Sequence, residues 1–218
     1  MLVQEVMQAP VITVTPVTTV PEGVRIVQTR GVRHLPVVAY GKLVGIVSDR
    51  DLERAIPSPA TTLERHDLAM AYPLKRLTMA EVMTRPVLTI SPLFPIEEAA
   101  QLMVANRVSA LPVTESGQLR GILTETDVLR LLARVVEAWE PSSRVDVMLK
   151  PQPRALTDMV STVEAAGMTV SSITILTNPA GVNEATIRFT TIDPAPAIKA
   201  LEVKGYTVRN SWPRLAGG

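Results

Sequence analysis

Residues Gly45–Asp51 read GIVSDRD, and Gly121–Asp127 read GILTETD. Each stretch runs glycine, two apolar residues, a hydroxyl, two polar residues and an aspartate. Ser48 and Asp51, like Thr124 and Asp127, stand three apart. That is the spacing of a capping box, in which an N-cap hydroxyl and an acid at the third helical position satisfy each other's backbone N–H groups. The same carboxylate and hydroxyl could instead be offered to a ligand. The two stretches taken singly leave both readings open.

Working outward, sliding the chain by 76 residues aligns Glu5–Ala55 with Glu81–Leu131 without a gap. EVMQAPVITVTP falls on EVMTRPVLTISP, VRHLPVV on VSALPVT, and GKLVGIVSDRD on GQLRGILTETD. Pro10, Pro16, Pro36, Gly41 and Gly45 meet Pro86, Pro92, Pro112, Gly117 and Gly121. A common slide over that length predicts one fold used twice, over residues 1–56 and 77–135.

Each copy reads as a helical turn around QEVM or AEVM, then a brief strand, VITV or VLTI. A helix follows over Val20–Arg30 or Ile96–Arg107, with Pro21 tolerated in its first turn. Two strands, LPVVA and LVGIVS in the first copy, are joined by a tight turn at YGK or ESGQ. A last helix starts after Ser48 or Thr124. Residues 57–76 carry prolines and little periodicity and read as a linker. From about residue 144 to 213 the pattern changes to strand, helix, two strands, helix, strand. That is the βαββαβ order of a two-layer, ferredoxin-like sandwich. The fold class expected for the whole chain is α/β.

Composition limits the chemistry. The chain has 218 residues, 46% of them hydrophobic and 20% charged, as in a folded rather than a disordered protein. A net charge of +1 and 3% aromatic content give neither an electrostatic footprint nor a stacking surface for nucleic acid. There is no cysteine, hence no disulfide or thiolate chemistry, and nothing places His34 and His66 together as metal ligands. No P-loop, nucleophile elbow or plausible carboxylate pair suggests catalysis. The first ten residues lack a basic region and a sustained apolar run, so no secretion signal is expected. With no run of membrane-spanning length, the expected location is cytoplasmic.

The two LPV strands (Leu35–Val37, Leu111–Val113), each followed by a glycine turn and then G-h-h-[ST]-x-x-D, resemble a tandem pair of cystathionine-β-synthase (CBS) domains, the Bateman module. The C-terminal portion resembles an ACT domain, and the combination looks like the bacterial acetoin-utilisation accessory proteins. The resemblance implies a regulatory protein, without catalytic residues or metal, that binds an adenine nucleotide (AMP, ADP or ATP) in clefts between the repeats. S-adenosylmethionine or NAD are further candidates. By that resemblance Asp51 and Asp127 receive the ribose, and Ser48 and Thr124 lie on the phosphate side. The adenine wall would be Leu88, Val108, Ser109 and Ala110 over Ile46 in the Asp51 cleft. In the Asp127 cleft it would be Ile12, Val32, Arg33 and His34 over Ile122, which would favour a more phosphorylated nucleotide there. A constitutive scaffold with vestigial clefts is the alternative.

The family's D-x-P-G-x-L turn reads PQPRAL here, with Pro151 for the aspartate and Arg154 for the glycine. That favours a homodimerisation or partner-docking role, toward a regulated enzyme not identified, over amino-acid binding. No nucleic-acid or membrane partner is expected.

Overall fold

The computed structural model describes residues 1–56, 76–135, 142–177 and 181–214. The linker reading of 57–76 falls almost wholly outside them. The chain divides into two compact units, Met1–Leu129 and Arg130–Gly218.

In the first unit a 3-10 turn (Val3–Glu5) precedes α1 (Val20–Arg30), β1 (His34–Ala39), β2 (Lys42–Ser48) and α2 (Asp49–Ala55). The second repeat follows as α3 (Met79–Val82), α4 (Ile96–Asn106), β3 (Ala110–Glu115), β4 (Gln118–Thr124) and α5 (Glu125–Val135). Thr19 caps α1 by accepting from the Glu22 N–H, with Pro21 in the first turn as its composition predicts. The hairpins are copies of one another. Tyr40 and Gly41, like Ser116 and Gly117, both take positive φ in a two-residue turn, the geometry that matches the twist of the flanking strands. Both carry a register shift at the same place, Val37/Val38 and Val113/Thr114. The strands expected at VITV and VLTI are reduced to single parallel bridges, Val14 to Val37 and Ile90 to Val113. Extending either bridge would need an N–H from Pro16 or Pro36, or from Pro92 or Pro112 in the second copy, and proline has none.

The two repeats exchange their leading turns. Val3 N–H donates to the Phe94 carbonyl and Gln8 pairs in both directions with Ile122, so residues 1–8 dock on the second repeat. Reciprocally, Val20 N–H donates to Leu77, Met79 N–H to Thr18, and Thr84 pairs with Ile46. The first repeat's core of Val14, Val20, Leu35, Val37, Val47 and Leu52 is therefore completed by Met79. Val3, its 76-residue counterpart, is likewise fully buried.

The exchange explains two glycines. A Cβ on Gly45 would collide with the Met83 sulfur and lie 2.8 Å from its Cγ; one on Gly121 would meet Met7 in the same way. Each glycine is thus the seat of the partner repeat's methionine.

In the second unit β5 (Ser142–Met148), α6 (Ala155–Ala165), β6 (Val170–Thr177), β7 (Asn183–Phe189), α7 (Ala195–Val203) and β8 (Thr207–Arg214) follow in order. The sheet order is β6-β7-β5-β8, antiparallel throughout, with β5 central. This is the ferredoxin-like arrangement that the βαββαβ order predicts. Val145, Val147, Ile187 and Phe189 meet Met159 and Val163 of α6 and Leu201 of α7 in an aliphatic core. Arg154 keeps a left-handed φ of 66° at the start of α6, so the backbone there has the conformation that glycine adopts without strain.

Candidate functional site

Two helix starts, at Ser48–Asp51 and Thr124–Asp127, carry the sequence-derived candidates. In the first, Ser48 Oγ accepts from the Asp51 N–H at 3.2 Å and donates to Asp51 Oδ2 at 2.7 Å, while Ser48 N–H donates to the same oxygen at 2.9 Å. Thr124 and Asp127 repeat the set at 3.3, 2.6 and 2.9 Å. Both capping boxes are therefore made. A hydroxyl has one proton, and Ser48 and Thr124 each spend it on their own aspartate. Each helix is also pinned at its first residue, by Asp49 N–H to the Arg33 carbonyl and Glu125 N–H to the Ser109 carbonyl. That tie holds the first turn, and with it the aspartate, against the residue preceding its hairpin.

The corners differ in what remains of each carboxylate. Asp127 Oδ1 accepts the Gln8 side-chain amide at 2.8 Å, and Asp127 is 5% exposed. Asp51 is partly exposed, and its Oδ1 has no hydrogen-bond partner among the described residues.

Asp51 lies in a groove of about 490 Å³ between the repeats, within the range of small-molecule sites. Ile46 and Ser48 from the first repeat and Val108, Ser109 and Ala110 from the second share its wall. Arg33 and His34 line this same groove, although the resemblance assigned them to the Asp127 cleft. The reason is the midline between the hairpins. His34 Nε2 and Ser109 Oγ share a 2.9 Å hydrogen bond, and Arg33 Nη2 donates to Thr126 Oγ1 at 2.9 Å, so β1 and β3 begin side by side. Leu88 does not line the groove and is 38% exposed. Ile12 and Val32 pack on the first repeat's core, and Ile122 is buried.

Five groove residues are not among those expected from the sequence: Asp49, Arg50, Thr84, Arg107 and Glu125. Arg107 caps α4 with a left-handed φ of 55°, where its counterpart is Gly31 at 63°. An arginine replacing glycine at a strained position was the available signal. With Arg33 and Arg50 it supplies fixed positive charge, against the carboxylates of Asp49, Asp51 and Glu125. Burial holds the His34 imidazole below its ordinary value near 6.5, only partly offset by Asp49, so the ring is neutral at pH 7. The site can thus offer an unshared carboxylate oxygen to a diol, an apolar wall to a flat ring, and guanidinium groups to a phosphate. Among the described residues no group of three or more His, Asp or Glu could hold a metal ion, and no helix is long and apolar enough to cross a membrane.

The CBS domain family model matches residues 3–58 and 79–134, just over half of the chain. A CBS domain-containing protein of Dictyostelium discoideum is 33% identical over 144 residues, 65% of this chain and 98% of that one. The chain spans less than half the length of several other curated relatives it matches. Among solved structures, the CBS domain pair of protein MJ0100, in complex with 5′-methylthioadenosine and S-adenosyl-L-methionine, is 29% identical with a TM-score of 0.51, over 62% of this chain and 97% of that one. CBSX2 in complex with AMP is 26% identical with a TM-score of 0.52, over 62% and 98%. A putative acetoin utilization protein from Vibrio cholerae is 26% identical with a TM-score of 0.52, over 65% and 98%.

Proposed function

Because the chain belongs to the CBS domain family, we propose that it is a non-catalytic regulatory protein that binds an adenine nucleotide in the Asp51 groove. The observation that carries this reading is the unshared Oδ1 of Asp51 inside a groove of about 490 Å³, opposite Val108 and Ala110 of the other repeat. Ribose hydroxyls would donate to that oxygen, the base would lie between Ile46 and Val108, and the phosphates would meet Arg33, Arg50 or Arg107. The same division of chemistry suits AMP, ADP or ATP. The neighbours solved with AMP, 5′-methylthioadenosine and S-adenosyl-L-methionine support the adenosine moiety as the common element.

For such a ligand to regulate, it must bind two arrangements of the repeats with different affinity. The exchanged turns offer the connection, since Thr84 and Ile46 join the repeats at the groove itself. The second unit is, in this proposal, an ACT-like module that supports homodimerisation or docking to a regulated enzyme, as in an acetoin-utilisation accessory protein of the cytoplasm. Thermal shift with AMP, ADP, ATP, NAD and S-adenosylmethionine tests the reading. A rise in Tm with an adenosine ligand that is lost in Asp51→Ala is expected. No shift with any of them at millimolar concentration would favour a constitutive scaffold.

A further inference from the structure

The two corners are related by the 76-residue slide in their capping boxes and in the backbone pairing beside them, and they differ in what reaches the second carboxylate oxygen. Gln8 and Thr84 occupy equivalent positions. Gln8 N–H donates to Ile122 O at 2.9 Å and Ile122 N–H to Gln8 O at 3.1 Å; Thr84 and Ile46 make the same pair at 2.9 and 3.3 Å. The backbones therefore approach the two aspartates alike, and only the side chains differ. The Gln8 amide reaches Asp127 Oδ1 at 2.8 Å, whereas Thr84 lies in the wall of the Asp51 groove and makes no such bond.

We propose that Gln8 is an internal stand-in for the ribose, a latch that ranks the two pseudo-symmetric corners so that nucleotide fills the Asp51 corner first. This rests on the nucleotide reading above. A diol entering at Asp127 must displace an amide already donating to the oxygen it needs. A hydrogen bond to a charged group contributes enough that the displacement weakens the second corner roughly 10- to 100-fold. Gln8 is itself exposed, so its side chain can swing into solvent and the second corner fills only at higher ligand concentration. Threonine at position 8 is already accommodated by the equivalent backbone at Thr84, and it is too short to reach the carboxylate.

The test is calorimetric titration of the full chain with AMP, for the wild type, Gln8→Thr, Gln8→Ser and Gln8→Thr combined with Asp127→Ala. The wild type is expected to show one tight site and a second about 10- to 100-fold weaker. Both single variants should tighten the weak site by that factor, and Asp127→Ala should remove the gain. Two sites of equal affinity in the wild type, or a weak site unmoved in both Gln8→Thr and Gln8→Ser, overturn the latch while leaving nucleotide binding intact. Absence of any saturable binding in the wild type overturns the nucleotide reading itself, and the latch with it.

Discussion

Gly23 and Met79 come from opposite repeats, yet Met79 completes the core beneath α1. A Cβ built on Gly23 would overlap the Met79 methyl carbon and lie 3.4 Å from Leu52 Cδ2. Gly23→Ala therefore sets two effects against each other. Alanine in a helix interior gains about 1 kcal/mol over glycine, while overpacking a closed core costs roughly 1–3 kcal/mol. Met79 is fully buried and has little room to retreat, so the overpacking should prevail, for a net loss of about 1 kcal/mol. The second repeat shows the repair. There the position of Gly23 is Ala99 and that of Met79 is Val3, a larger and a smaller residue, both fully buried. Met79→Val alone should cost about 1 kcal/mol through the gap it leaves. The double variant should recover most of both losses, a coupling of about 1–2 kcal/mol. Thermal unfolding followed by calorimetry and far-ultraviolet circular dichroism is the assay, because residues 1–129 contain no tryptophan to report on the first unit. Strictly additive losses would refute the exchange of leading turns on which the groove depends.

Three further outcomes follow from the groove. Asp51→Asn keeps an acceptor for the Ser48 cap but puts an amide in place of the open carboxylate oxygen, so AMP affinity should fall about 10- to 100-fold with little change in Tm. Asp127→Asn should leave the tight site unaffected, and equal losses from both in parallel titrations would count against the assignment. Arg107→Gly relieves a left-handed φ of 55° and should raise stability by about 0.5–1 kcal/mol. It should also weaken ATP more than adenosine, a contrast read by paired melting and binding curves. His34, held neutral by burial with Asp49 opposing, binds fewer protons folded than unfolded between its lowered value and 6.5. Its contribution is thus present above pH 6.5 and lost as pH falls through that window, and His34→Gln should flatten the decline of Tm between pH 7 and 5.

Legible in the residues alone were the features that the repeat displays twice and the βαββαβ order of the second unit. The hairpins with Tyr40-Gly41 and Ser116-Gly117 turns, the helices after Thr19 and Pro95, and the capping boxes at Ser48 and Thr124 are local devices, and local spacing reveals them. The groove wall of Val108, Ser109 and Ala110 came from resemblance and lies beside Asp51. Contacts between segments distant in sequence were illegible: Val3 under the second repeat, Met79 under the first, and the 119-residue reach from Gln8 to Asp127. That Arg33 and His34 line the Asp51 groove is also illegible, because sequence order does not reveal that β1 and β3 start against one another. The slide did contain two unread signals, Gly31 against Arg107 and Gln8 against Thr84. In each, a break in the repeat falls at the groove or at its mirror corner.

The most direct measurement of the central claim is titration of the full chain with AMP in a calorimeter, at fixed pH and salt. Saturable binding with a sub-millimolar dissociation constant, and a tight site that weakens about 10- to 100-fold in Asp51→Asn but is unchanged in Asp127→Asn, is the result predicted. Binding that is absent at millimolar AMP, ADP and ATP, or that survives Asp51→Asn unchanged, would contradict it.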